Sequence, residues 1–466
     1  MRARATGTLV AAALLAGCAS FSPDGGFGTV EQTAKQRLGK ELRWSRSAAE
    51  QAAIDQRVAA LLAQPLSTDD AVQLALLNNR GLQASLQELG IGQADLVQAG
   101  RLPNPGFSFG RLTRGSEVEI ERGLHFNLAR LLALPTMQQL EARRFAQTQA
   151  SVTLAVLALA ADARKAHIYA VAAEEGVRYR RQVMQAAEAS AELARRMAQV
   201  GNFNKLQQAR EQSFYADAAL NLAQAMQAQT TTRERLTRLL GLWGEQAAFK
   251  LPERLPALPP APTEQPEIER SAMAQRLDVQ GAKLAAEQTA MNLGLTRTTR
   301  FVNVLELGAV RNSSNELPTQ RGWEVSVELP LFDWGGARVA RAEAVYRQAL
   351  DRAAETAIDA RSEVREAYGN YRSAYDIARH HRDELVPLRK QIADENLLRY
   401  NGMLIGVFEL LADARTQIAS VNASIDALRD FWLADADLQM ALIGKPNLAA
   451  GATPPMTTAA DGGAAH

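Results

Sequence analysis

Tyr346, Leu350, Ala353, Ala357, Ala360, Val364, Ala367, Tyr371, Ala374 and Ala378 form an apolar seam whose steps alternate between four and three residues. That mean period of about 3.5 belongs to helices that interlock knobs-into-holes and wind left-handed about one another. Past Asn401-Gly402 the seam resumes at Leu411, Ala414, Ile418, Val421, Ile425, Leu428 and Trp432. Two such runs flanking a Gly/Asn break predict an antiparallel helical rod, with a long arm and a shorter return. At about 1.5 Å per residue, an arm of about 65 residues spans roughly 100 Å.

The same object occurs earlier in the chain. A long arm from about Thr136 to Val200 breaks at Gly201-Asn202 and returns from Asn204 to about Leu240. Each rod follows a region of different period. Val118, Ile120, Arg122, Leu124, Phe126 and Leu128 alternate with Glu117, Glu119, Glu121, Gly123, His125 and Asn127. Period two of this length predicts a strand with one apolar and one polar face. Phe107–Gly110 makes a shorter strand before it, with a turn at Gly115-Ser116. The second copy supplies a strand at Phe301–Val310, a polar loop at Asn312–Asn315 and a strand at Gly322–Leu329. There Trp323, Val325, Val327 and Leu329 alternate with Glu324, Ser326 and Glu328. Gly201 and Gly402 lie 201 positions apart, as do Leu124 and Val325. The chain therefore reads as a tandem duplication.

The predicted organisation is a signal peptide at 1–17, a tether with short helices at 18–66, a first repeat at 67–243, a Pro-rich linker at 244–266, a second repeat at 267–445 and a disordered tail at 446–466. The short helices are expected at Val30–Trp44 and Ala48–Gln64. Ser67 and Asp70 resemble a capping box and open a helix running to about Gly100. Leu131–Pro135 leads into the first rod, and a helix from Glu267 to about Leu295 opens the second repeat. Pro387 should kink the second rod.

Composition narrows the function. Lys and Arg total 52 against 51 Asp and Glu, a net charge of +1, which gives a nucleic acid no basic surface to bind. The single cysteine excludes an internal disulfide and any site built from several cysteines. No Gly-rich phosphate loop, G-x-S-x-G or H-E-x-x-H occurs, so no catalytic role and no cofactor are expected. His380-His381 is no metal pair, since neighbouring residues on a helix point about 100° apart. The cysteine's place is informative. Arg2 and Arg4 precede the apolar run Leu9–Leu15, and Leu15-Ala16-Gly17-Cys18 matches a bacterial lipobox. Cys18 is then the acylated first residue of the mature chain, and Ala19 after it resembles lipoproteins sorted to the outer membrane.

Four strands cannot close a barrel, and their edges would stay exposed. Three copies supply twelve strands, which removes the edges and turns the apolar faces outward to lipid. The expected fold is mostly α with a small β part: a trimeric twelve-stranded transmembrane barrel continued by an α-helical coiled-coil barrel.

Particular residues carry a family resemblance. They are Ala71-Val72-Gln73-Leu74-Ala75-Leu76-Leu77-Asn78-Asn79, then Gly90–Gly100, then Leu102-Pro103-Asn104-Pro105, and in the second copy Glu328-Leu329-Pro330-Leu331-Phe332-Asp333-Trp334-Gly335-Gly336. Together they resemble the TolC-type outer-membrane efflux family over roughly residues 65–445. The resemblance implies a homotrimer in the outer membrane, a long periplasmic tunnel, and docking through the helical tips to a periplasmic adaptor and an inner-membrane pump. By position, Gly201, Asn202, Asn204 and Lys205 fall in one tip, and Arg399, Tyr400, Asn401 and Gly402 in the other. The family's second tip usually has its glycine where Met403 stands. Glu409 aligns with an acidic gate position. The companion position is Ala412, with Asp413 beside it. Glu117, Glu119, Glu121, Glu324 and Glu328 would face the barrel lumen, which Arg111 and Arg114 would partly neutralise. Two other readings use the same materials: the exit duct of a protein-secretion system, and a periplasmic coiled-coil scaffold lipoprotein. The scaffold has no use for apolar outward strand faces. A conduit has no substrate pocket, and its expected cargo is a small toxic solute, a metal cation or a drug.

Overall fold

The computed structural model describes residues 20–299, 304–328 and 331–448. The chain divides into two compact units. One comprises the chain up to Ala60, Gln73–Leu159 and Leu277–Asp359; the other comprises Leu61–Val72, Ala160–Arg276 and the chain from Ala360 onward. Cys18, residues 301–303, Leu329 and most of the tail lie outside the described residues.

In chain order the helices before the first strand are α1 (Phe27–Leu38), α2 (Ala48–Leu62), α3 (Thr68–Asn78) and α4 (Arg80–Ala99). The first helix stops short of its expected end because Gly39 takes the left-handed conformation that closes helices, with φ of 64°. Ser67 caps the helix it opens, its Oγ accepting from the Asp70 N–H at 3.1 Å, but the Asp70 carboxylate takes the Ser67 hydroxyl at 2.6 Å in place of the backbone N–H that a capping box uses. The helix then breaks at Asn79, whose side chain caps α4 through Leu82 N at 2.9 Å. Periodicity hid this break, because leucines continue on both sides of it.

The first unit holds one antiparallel sheet in the order β1 (Gly106–Arg114), β2 (Glu117–Asn127), β3 (Leu305–Ser314), β4 (Gln320–Val327). The two predicted hairpins thus join through β2 and β3. The predicted loop at Asn312–Asn315 is strand as far as Ser314, because Asn312, Ser313 and Ser314 pair with Glu121, Ile120 and Glu119. Both β1 and β4 remain edges. In the same unit an extended segment preceding α2 lacks a strand partner. Two buried glutamines satisfy its backbone. Gln73 accepts from the Glu41 N–H at 3.0 Å and donates to its carbonyl at 2.8 Å. Gln83 does the same for Ser45 N and Arg43 O, at 3.0 and 2.8 Å. A carboxamide carries one acceptor and a donor pair, so it can stand in for a peptide group.

The remaining helices are α5 (Leu128–Gln199), α6 (Lys205–Leu240), α7 (Ile268–Gln275), α8 (Leu277–Thr299), α9 (Gly336–His380), α10 (Val386–Asn401) and α11 (Val407–Ile443). Leu131–Pro135, expected as a connection, is helical from Leu128, with Pro135 inside α5. Asn127 caps that start by accepting from Arg130 N at 2.8 Å. The helix expected from Glu267 onward is two helices parted at Arg276, whose ψ of 121° is extended. Before Pro387 a π-helical turn spans His381–Leu385, with the Val386 N–H returning to His381 O. The turn places the proline at the opening of α10, where a missing N–H is tolerated.

In the second unit the alanine seam does bury: Ala360, Val364, Ala367 and Tyr371 are at most 2% exposed. Tyr371 and Tyr375 pack on Phe431, ring centroids 5.5 and 5.8 Å away. The Pro-rich linker lies against these helices. Prolines leave carbonyls without ladder partners, and side chains supply the donors instead. Trp432 Nε1 reaches Pro256 O at 2.9 Å, Arg382 reaches Leu258 O at 3.3 Å, and Tyr375 Oη reaches Pro260 O at 2.8 Å. Tyr371 Oη in turn accepts from Thr263 N at 2.9 Å.

His167 is 2% exposed in this unit. Its Nε2 lies 2.7 Å from the Leu66 carbonyl, which can only accept, so Nε2 carries the proton and Nδ1 accepts from Thr68 Oγ1 at 3.1 Å. Burial holds its pKa below the usual 6.5. The folded chain then binds fewer protons than the unfolded chain as pH falls through that value, so the contribution is complete above it and lost below it. Urea midpoints should therefore drop from about pH 7.5 to about pH 5.5, with a smaller drop in His167→Gln. Equal drops in both proteins would exclude His167 as the cause.

Candidate functional site

Two places gather the predicted residues, one on the sheet and one at the rod tips. On the sheet, directly opposed residues share a face. One face therefore carries Glu117, Glu119, Glu121 and His125 of β2 with Glu324 of β4. Glu328 follows β4 and donates its N–H to Val304 O at 3.3 Å. Glu306 of β3, opposite Asn127 and Ser326, joins this polar face and was not singled out in the sequence. Arg114 is on it, opposite Glu117. Arg111 is not: it pairs with Ile120 and shares the apolar face, because Phe107, Phe109 and Arg111 follow the period of two.

His125 organises the polar face. Its Nδ1 lies 2.9 Å from Glu324 Oε1 and its Nε2 2.9 Å from Ser108 Oγ. The ring reaches from β2 across Gly308 of β3 to β4. A Cβ on Gly308 would fall 2.8 Å from His125 Nδ1, and one on Gly123 would fall 2.4 Å from Ser108 Oγ. Both glycines therefore make room for this strap, and Glu324 is an engaged carboxylate.

At the first tip Gly201 has φ of 82°, the left-handed conformation a tight turn needs. Asn204 forms a capping box with Gln207, with distances of 2.8 and 2.9 Å. Gly201, Asn202, Asn204 and Lys205 are exposed, while Phe203 is buried beneath them. At the second tip Arg399, Tyr400, Asn401 and Gly402 are exposed. Here the left-handed residue is Met403, with φ of 60°, while Gly402 has φ of −79°. Its side chain is 92% exposed, so packing does not offset the strain. Met403→Gly should raise stability by about 1 kcal/mol in thermal unfolding. A lower melting temperature for that variant would show that the side chain contributes more than its backbone costs.

Glu409 is exposed in the first turn of α11. Asp413 is half-buried and accepts a hydrogen bond from the Asn396 amide of α10, which ties the hairpin to itself. Besides the apolar packing of α5 on α11, the two hairpins meet through residues that no motif marked. Arg415 of α11 meets Glu211 of α6 at 2.7 Å and stacks over Phe214, 4.3 Å from the ring centre. Glu211 is 2% exposed, and its other oxygen accepts from Ser190 Oγ at 2.7 Å. In the sequence both charges look like ordinary solvated positions beside a seam.

No family model and no curated protein matches this chain. Solved structures do. CusC, described for the conformational changes that accompany folding and transmembrane channel formation, matches with a TM-score of 0.67 at 17% identity, over 81% of this chain and 92% of that one. The outer-membrane channel OprN matches at 0.68 and 18% identity, over 86% and 93%. The open state of the MtrE outer-membrane channel of Neisseria gonorrhoeae matches at 0.66 and 18%, over 80% and 88%. The chain therefore has the fold of these outer-membrane channel proteins.

Proposed function

We propose that three copies of this chain form the outer-membrane exit duct of a tripartite efflux system, a conduit and not an enzyme. The observation that carries this is a four-stranded sheet with two open edges and exposed large side chains on one face, Phe107 at 69% and Trp323 at 77%. A sheet built this way is an aggregation hazard in water but a third of a closed barrel in lipid. No helix among the described residues is long and apolar enough to cross a membrane. The exposed apolar face of the sheet is the part that meets lipid in this reading. Acylation of Cys18 adds a second attachment. The exposed tips, Gly201 to Lys205 and Arg399 to Gly402, meet a periplasmic adaptor that connects the duct to an inner-membrane pump. Glu409, with Asp413 a turn further on, rings the axis at the gate. The polar strand faces, with Glu117, Glu119, Glu121, Glu324 and Glu328, line the lumen and concentrate cations there. Small toxic solutes, metal cations or drugs, are the cargo class.

The detergent-extracted chain should migrate as a trimer that heat dissociates, and a stable monomer or complete partition into water would end the proposal. In planar bilayers, Glu117, Glu119 and Glu121 changed together to Gln should reduce cation selectivity. An unchanged reversal potential would remove the acidic-lumen role while leaving the duct.

A further inference from the structure

The outward face of the sheet is interrupted by arginines. Arg122 of β2 stands directly opposite Arg311 of β3, which stands directly opposite Arg321 of β4. Arg111 of β1 lies one row nearer the turns, opposite Ile120. All four are exposed. On the helix side of this row the same face carries Leu124, Phe126, Leu307, Trp323, Val325 and Val327.

Three cations directly opposed across neighbouring strands repel one another. Nothing on the sheet relieves them, since the carboxylates Glu117, Glu119, Glu121, Glu306 and Glu324 all project from the opposite face. The one side-chain bond in the row is Arg122 Nη1 to Ser313 Oγ at 3.3 Å, and among the described residues none of the four arginines has an ion pair. A row of uncompensated guanidiniums beside an aromatic and aliphatic band needs anions at one level and hydrocarbon at the next. Guanidinium is planar, always charged and suited to gripping phosphate with paired N–H groups.

We propose that Arg122, Arg311 and Arg321, with Arg111, bind the net anionic phosphate headgroups of membrane lipids whose acyl chains cover the Trp323–Val327 side of the same face. The inference rests on the reading that this face meets lipid, and it sets the depth of the barrel: the arginine row lies at the headgroup level on the turn side. The cost of an outward-facing arginine falls towards the interface, and this placement needs no charge in the hydrocarbon.

The test reconstitutes the full chain, and the triple variant R122Q/R311Q/R321Q, into phosphatidylcholine vesicles containing a trace of spin-labelled phosphatidic acid or spin-labelled phosphatidylcholine. The native chain should hold phosphatidic acid about fivefold more strongly among its motionally restricted lipids, the effect of roughly one engaged basic residue at a membrane surface. The preference should vanish in the triple variant and weaken in high salt. Loss of like-charge contacts should leave the variant at least as heat-stable in neutral detergent, so it will fold. Restricted lipid with no headgroup preference in the native chain, or a preference that survives in the variant, overturns the arginine assignment alone. Absence of restricted lipid of either kind removes the lipid-facing reading, and this inference with it.

Discussion

Arg415→Ala is expected to weaken the joint between the two hairpins by about 3 kcal/mol, because it leaves the Glu211 carboxylate buried without its cation. At 1.4 kcal/mol per tenfold, that multiplies the parted state about a hundredfold. The replacement also removes the guanidinium from the Phe214 face, but an exposed contact of that kind contributes less. Hydrogen exchange should report the change as faster exchange of amides in α6 and α11 around these residues, with the β-strands unaffected. Exchange as slow as in the native chain would mean the pair is incidental. A second variant separates charge from contact. Arg415→Met combined with Glu211→Met removes both ions together and should recover much of the loss, since replacing a buried pair with apolar side chains is often neutral. The Arg415 Nε is itself buried without an acceptor, a further cost the double variant avoids.

The second large effect is expected at Arg276, which is 1% exposed and separates α7 from α8. Its Nη2 meets Glu363 Oε2 at 2.6 Å, and its Nη1 lies 3.4 Å from the carbonyls of Ala360 and of Ala441. One guanidinium thus binds an acid on α9, the α9 backbone and the end of α11. Arg276→Ala leaves a largely buried carboxylate without its cation and the Ala441 carbonyl, in the last turn of α11, without this donor, and should cost about 3–5 kcal/mol in urea unfolding. Arg276→Lys should recover only part, because an ammonium cannot reach three acceptors in a planar fan. If the alanine variant unfolds within about 1 kcal/mol of the native chain, the three contacts are not energetically coupled.

These two sites also show what the sequence could and could not express. Repeated geometry was legible. The four-three seam marks the long helices and period two marks β2, because each is a local pattern written many times. The polar and apolar faces of β2 followed directly from the pleat. The sequence signal of β1 stops at Gly110, so nothing there carries the alternation to Arg111, which the strand places on the apolar face opposite Ile120. In the structure β1 continues to Arg114 against Glu117. The breaks at Asn79 and Arg276 were hidden by apolar residues that continue across both. Glu211, Arg415 and the His125 strap were hidden for another reason. Each depends on a partner distant in the chain, and neither a lone Glu nor a lone His announces the strand or helix that will oppose it. The Gly/Asn breaks mark both helix-to-helix turns in the sequence, while the left-handed backbone of Met403 has no sequence signal.

The way the Pro-rich segment is held has a consequence for the covalent link between the two copies. Arg233 grips Ala247 O and Phe249 O, Arg178 grips Glu253 O, and Trp432, Arg382 and Tyr375 take over from Pro256 onward. Each carbonyl is anchored on its own, so cutting one peptide bond releases no neighbour. A protease nick between Pro256 and Thr263 should leave both fragments attached in the native state. That stretch of backbone would then matter for synthesis and no longer for the finished molecule.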